Sequence, residues 1–126
     1  MADEKDLKEK IADLNNTADT TSEYDPQDIE KNKIMAIVAY FSILVLIPLF
    51  AAKESRFARF HCNQGLILLI LSIVIWIVQK ILFILPSFIF FILRLAVLAL
   101  AIIGIVNAYN GKAKELPVIG GIKILQ

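Results

Sequence analysis

Between Gly65 and Tyr109 the chain runs for 45 residues with only two charged side chains, Lys80 and Arg94. Wound as one helix, that stretch would be about 68 Å long, more than twice the hydrocarbon core of a bilayer. It must therefore fold back on itself. Pro86-Ser87 is the natural break, and Gln79-Lys80 marks the approach to an interface. The pattern predicts two spanning helices, at about 57–83 and about 87–109, with Trp76 and Tyr109 towards opposite interfaces. Asn110-Gly111 then stops the second of them, the glycine being free to adopt a left-handed cap.

A further apolar run lies upstream. Lys33 and Lys53 bracket nineteen uncharged residues, Ile34 to Ala52, about 28 Å as a helix. Asp25-Pro26 reads as its start, an N-cap followed by proline at the first helical position. One helix over about 26–52 is expected, bent near Leu44 by Pro48. The fold class is then an all-α membrane protein of three transmembrane helices with an N-terminal acidic, largely disordered tail. Residues 1–25 form the tail and 26–126 the membrane domain. Within the tail, Leu7, Ile11 and Leu14 give 3–14 a narrow helical stripe, and 15–24 is a polar linker. The closing "AKELPVIGGIKILQ" is too short to span and should lie on the surface or fold back on the bundle. No cleavable leader is expected, because the first apolar run begins only after 33 mostly polar residues.

The overall charge of +1 hides an asymmetry. Through Lys33 the chain carries ten acids against five lysines; beyond it, eight Lys and Arg face only Glu54 and Glu115. The basic residues cluster in loops flanking the apolar runs and form no stripe for nucleic acid. With three spans, Lys53, Arg56, Arg59, Lys112, Lys114 and Lys123 share one side. The positive-inside rule makes that side cytoplasmic and puts the tail outside, in a multi-pass protein of the bacterial inner membrane.

The polar residues gather at the mouth of the second helix, in "ESRFARFHCNQGL". Wound as a helix, His61, Gln64, Ser72 and Gln79 fall on one stripe, while Arg56 and Arg59 point away from it. Lys53, Arg56 and Arg59 read as contacts to lipid headgroups. In the third helix Val97, Ala101, Gly104 and Ala108 make a small-residue face suited to close helix packing, with Asn107 at its edge. Arg94 shares that face, about seven residues and roughly 10 Å into the helix. No acid lies in any span, so its expected acceptors are the Gln79 side chain or carbonyls freed near Pro86. His61, Gln64, Ser72, Gln79, Arg94 and Asn107 are thus the candidate bundle-facing polar residues.

No catalytic set appears: the single histidine has no carboxylate near it in sequence, and there is no glycine-rich phosphate loop. His61 and Cys62 are the only His and Cys, too few to hold a structural metal. No enzyme activity, cofactor or metal is expected.

"AAKESRFARFHCNQGLILLI", followed after two spans by "IVNAYNGKAKELPVIGGIKIL", resembles the uncharacterised bacterial membrane proteins related to the Tic-twenty chloroplast import component. The resemblance covers roughly residues 34–126. It rests on His61, Asn63 and Gln64 at the helix mouth and on Asn110, Gly111 and Pro117 after the last helix. The plastid relative implies a part in protein translocation, and magnetosome relatives imply an organising role. This chain lacks the zinc ribbon that some relatives carry. The expected function is a non-enzymatic scaffold or accessory subunit of a membrane complex. Its partners would be the bilayer, other membrane proteins or further copies of itself. The alternative is a small transporter or translocation component acting as an oligomer.

Overall fold

The computed structural model describes Asp6, Glu9 and residues 18–119 and 121–124. Apart from Asp6 and Glu9, the helix expected at 3–14 lies outside the described residues, as does Gly120 of the Gly-Gly pair. The described chain is all-helical. Four α-helices follow a short 3-10 turn at Thr21–Glu23: α1 (Pro26–Val38), α2 (Leu46–Ala51), α3 (Arg56–Ile81) and α4 (Ser87–Tyr109). A second 3-10 turn, Ser42–Val45, leads into α2.

The two long helices start and stop on local chemistry. The Ser55 hydroxyl caps α3 by accepting from the Ala58 N–H at 3.0 Å. Pro86, which cannot continue α3, stands at the N-cap of α4. Gly111, at φ +70°, takes the left-handed conformation just past its end. Both helices are long and apolar enough to cross a membrane. Their outer faces expose large apolar side chains, among them Trp76, Ile77, Phe88 and Phe91. Water would not tolerate so continuous an apolar surface, whereas lipid suits it.

The first apolar run departs from the expected single helix. α1 is only 13 residues long, about 20 Å. The chain then turns through Ala39–Phe41, with Ser42 at φ 55°, and returns as the short α2. Asp28 and Ser55 would lie about 40 Å apart on a straight 27-residue helix. Instead the Ser55 hydroxyl donates to the Asp28 carboxylate at 2.6 Å, and the Phe57 N–H donates to it at 3.0 Å. Residues 26–51 therefore form a hairpin whose two ends meet. Pro48 explains why no continuous helix forms: its ring and missing N–H are tolerated within the first turn of a new helix, and that is where it sits.

The core lies at the end where this hairpin packs on α3 and α4. Phe57, Cys62, Ala36, Ala39, Val45 and Ala108 are fully buried there. Gly65 and Gly104 are the close-approach points. A Cβ on Gly65 would fall 1.9 Å from the Ala39 carbonyl oxygen, and one on Gly104 would fall 2.2 Å from the Tyr40 ring. Towards the far end α3 and α4 continue as a bare two-helix stem, with only Ile75 and Phe90 buried.

The segment 18–24 is not a free linker. The Thr20 N–H donates to the Ala113 carbonyl, the Ala113 N–H donates to the Thr21 hydroxyl, and the Glu115 N–H donates to the Ala18 carbonyl. Tyr24 packs edge-on against Phe57 and Phe60. The end of the tail, the loop before α3 and the C-terminal segment thus share one end of the molecule. Three spans would instead put the tail and the first loop at opposite ends; here the first apolar run doubles back on itself.

Candidate functional site: a polar clamp on the C-terminal segment

Three polar side chains at the mouth of α3 all reach the chain beyond α4. His61 Nε2 lies 2.9 Å from the Lys112 carbonyl oxygen. A carbonyl can only accept, so Nε2 carries a proton and, in the neutral ring, Nδ1 is the acceptor. The Tyr40 hydroxyl, 2.5 Å from Nδ1, donates to it. Gln64 Nε2 in turn donates to the Tyr40 oxygen at 2.8 Å, and Gln64 Oε1 accepts from the Leu116 N–H at 2.6 Å.

The result is one directed chain of hydrogen bonds. It runs from the Leu116 N–H through Gln64, Tyr40 and His61 to the Lys112 carbonyl, and every step has a donor and an acceptor. Such chains polarise one another and strengthen in a low-dielectric interior. His61 and Gln64 are essentially inaccessible to solvent, and no buried side-chain nitrogen or oxygen among the described residues lacks a partner. The rings of Phe57, Phe60 and Tyr40 surround the imidazole edge-on.

Asn63 makes a second clasp further along. Its Nδ2 donates to the Ile122 carbonyl at 2.8 Å and its Oδ1 accepts from the Ile124 N–H at 2.5 Å. Leu116 and Ile119 are buried beneath these bonds, while Val118, Ile122 and Ile124 stay exposed. The segment that the sequence left between surface and bundle is folded back and held by its backbone. Asn107 belongs to the same end: its carbonyl accepts from the Lys112 N–H at 2.8 Å, and its Nδ2 lies 3.5 Å from the Lys114 carbonyl.

The polar stripe of the long helix is therefore three separate arrangements. His61 and Gln64 belong to the clamp. Ser72 returns its hydroxyl to the Leu68 carbonyl, one turn back, at 2.9 Å. Gln79, near the far end, accepts from Arg94 Nη2. Tyr40 is central to the clamp, and Gly65 lets the hairpin beside it approach α3; sequence reasoning missed both. A tyrosine in an apolar run reads as a lipid-facing aromatic, and only the spacing of its hydroxyl from the helix mouth could have pointed to it.

At the same end, Asp28 holds the hairpin shut. Partial burial alone would raise its pKa, but hydrogen bonds from Ser55, Phe57 and Asn32 outweigh that and hold the carboxyl below its usual value. Beside it, an open groove of about 750 Å³ is bordered by Lys31, Lys53 and Arg56 as well as by Asp25, Asp28 and Glu54. Arg56 lies over the Tyr24 ring and Lys53 over the Phe50 ring. Arg59 stands outside the lining of this groove.

Two curated relatives are similar to most of this chain. Magnetosome protein MmsF of Paramagnetospirillum magneticum is 26% identical over 73% of this chain and 85% of its own length. Magnetosome protein MamF of Magnetospirillum gryphiswaldense is 28% identical over 75% of this chain and 85% of its own. No solved structure matches the chain. These findings correct the resemblance to the Tic-twenty-related proteins. Of the features that carried it, His61, Asn63 and Gln64 bond to the backbone of the C-terminal segment. The model of the magnetosome magnetite crystal formation protein family matches residues 31–125, and the chain belongs to that family.

Proposed function

We propose that the protein is a non-enzymatic accessory subunit of a bacterial membrane, a scaffold that holds other membrane proteins or further copies of itself at a site of magnetite crystal formation. Family membership supports the setting. The observation that carries the scaffold reading is the closed hydrogen-bond chain from Leu116 to Lys112. Its polar groups are consumed within the fold, which leaves none to hold a substrate or to shuttle protons. The clamp presents the C-terminal segment as a fixed surface, with Val118, Ile122 and Ile124 exposed for a partner.

In the bilayer, α3 and α4 span while the hairpin 26–51 enters from one side and returns to it. Lys31, Lys33, Lys53, Arg56, Arg59, Lys112, Lys114 and Lys123 then share one face, with Lys80 and Arg94 towards the other. The positive-inside rule makes the first face cytoplasmic, the tail included. Lys53, Arg56 and Arg59 meet lipid headgroups there. Cysteines placed singly at Ser22, Glu54 and Phe83 in a Cys62→Ser background test this arrangement. An impermeant thiol reagent added outside intact cells should label only position 83. Labelling of 22 without 54 would restore a third span.

A transporter reading rests on a different observation, a cavity of about 260 Å³ between the hairpin tip and the long helices. Tyr40, Ser42, Gly65, Ser72 and Arg94 are among its lining residues. Ser72→Cys in the same background decides between the two. Protection from an impermeant reagent fits a scaffold, whereas modification means that the cavity is wet and open to one side. Co-purification in mild detergent, followed by identification of bound membrane proteins, tests the scaffold directly.

A further inference from the structure

The far end of the molecule carries a second polar feature that the clamp does not use. Where α3 turns into α4, an open cavity of about 420 Å³ is lined by Trp76, Gln79, Lys80, Ser87, Phe90 and Arg94 among others. Two of those side chains are cations. No Asp or Glu exists anywhere between Glu54 and Glu115 to balance them. The cavity also contains the start of α4, whose first turn has no side-chain cap. A 23-residue helix carries partial positive charge at this start, where Ser87 lines the cavity. Gln79 accepts from one guanidinium nitrogen of Arg94 and fixes its direction; the planar fork keeps further donors for an anion. The Lys80 ammonium stands 5.7 Å over the Trp76 ring, so it too is held at the rim.

Two cations, an uncapped helix start and a serine converge with no counter-charge, and aromatic rings flank them. That is the chemistry of a phosphate ester carried on an apolar tail. We propose that this cavity binds the headgroup phosphate of an anionic phospholipid from the leaflet opposite the hairpin. Arg94 and the first turn of α4 receive the phosphate, Lys80 closes the rim, and the acyl chains lie along Trp76 and Phe83. The site lies outside the clamp and does not depend on which partner the scaffold holds.

Trp76 is the sole tryptophan, so its fluorescence reports on this end of the molecule and not on the basic end. The full chain is reconstituted in phosphatidylcholine bilayers containing lipid with brominated acyl chains, which quench a neighbouring indole. Brominated phosphatidylglycerol should quench Trp76 at lower mole fraction than brominated phosphatidylcholine, with a preference of about fivefold per cation. Lys80→Gln should remove about one such factor. Arg94→Lys keeps the charge but loses the fork, and should also weaken the preference; a diffuse surface charge would leave it unchanged. Equal quenching by the two lipids overturns the proposal. A preference unaltered in both variants does the same. Loss of the preference on adding inorganic phosphate at constant ionic strength would assign the cavity to a small anion and overturn the lipid.

Discussion

Gly65 of α3 lies against the backbone of Ala39, so close that a Cβ at 65 would sit 1.9 Å from the Ala39 carbonyl oxygen. The neighbour is backbone at the tip of the hairpin and cannot swing away. Gly65→Ala should therefore push the hairpin off α3 and lower detergent stability by about 3 kcal/mol or more, beyond the 1–3 typical of overpacking. Thermal unfolding in mild detergent measures it. An unchanged midpoint would mean that the hairpin does not pack here.

The Tyr40 hydroxyl serves two partners at once, accepting from Gln64 and donating to His61. Tyr40→Phe leaves both without it and should cost about 1–3 kcal/mol. His61→Ala should cost at least as much, because the Lys112 carbonyl also loses its donor. Since the groups form one chain, the double variant should lose less than the sum. Additive losses would mean that the chain does not act as a unit.

Among the described residues, two carry positive φ without being glycine: Ser42 at 55° and Val118 at 70°. Val118 sits in a three-residue turn closed by the Ile119 N–H on the Pro117 carbonyl at 2.7 Å, a strained form of the γ-turn. Glycine relieves the clash of Cβ with the carbonyl, at some cost in unfolded-state entropy. Ser42→Gly and Val118→Gly should each raise stability by about 0.5–1 kcal/mol. A lower unfolding midpoint in either would show that its side chain contributes more than the strain removes.

The Asp28 carboxyl is held below its ordinary value of 3.8. Its contribution to folding is thus fully present above that value and is lost as pH falls through the lower folded value. The hairpin should stay closed from neutral pH down to about 4 and weaken in stronger acid. Asp28→Asn keeps the size but gives up one acceptor oxygen. It should lower stability at neutral pH and flatten the acid limb of a stability–pH curve. An acid limb identical to the wild type would exclude Asp28 as its source.

Arg94 and Gln79 make a single interhelical hydrogen bond near the far end. In a double-mutant cycle with Arg94→Leu and Gln79→Leu, the coupling should be about 0.6 kcal/mol, the usual size for such bonds in membranes. Independent effects would mean that the two side chains do not meet in solution.

The two long helices were legible because an apolar stretch too long for one span, with a proline at its middle, has only one way to fold. Gln79 was among the expected acceptors of Arg94, beside backbone carbonyls near Pro86, because antiparallel packing across a short turn brings it to a comparable depth. The hairpin was not legible. A run such as Ile34–Ala52 has the same composition whether it crosses or returns, and the contact of Asp28 with Ser55 and Phe57 that joins its ends is encoded by no periodicity. The clamp was half legible. His61, Asn63 and Gln64 stood out by type and position, but they bind backbone groups of residues 112–124, which have no signature in side-chain identity.

The hairpin also bears on how the chain enters a membrane. In the proposed arrangement residues 26–51 return to the side from which they set out, so the basic first loop and the clamped C-terminal segment need never be carried through lipid. The only polar cargo is the connector between α3 and α4 with Lys80 and Arg94 beside it, so insertion reduces to pushing the closed end of one helical pair across.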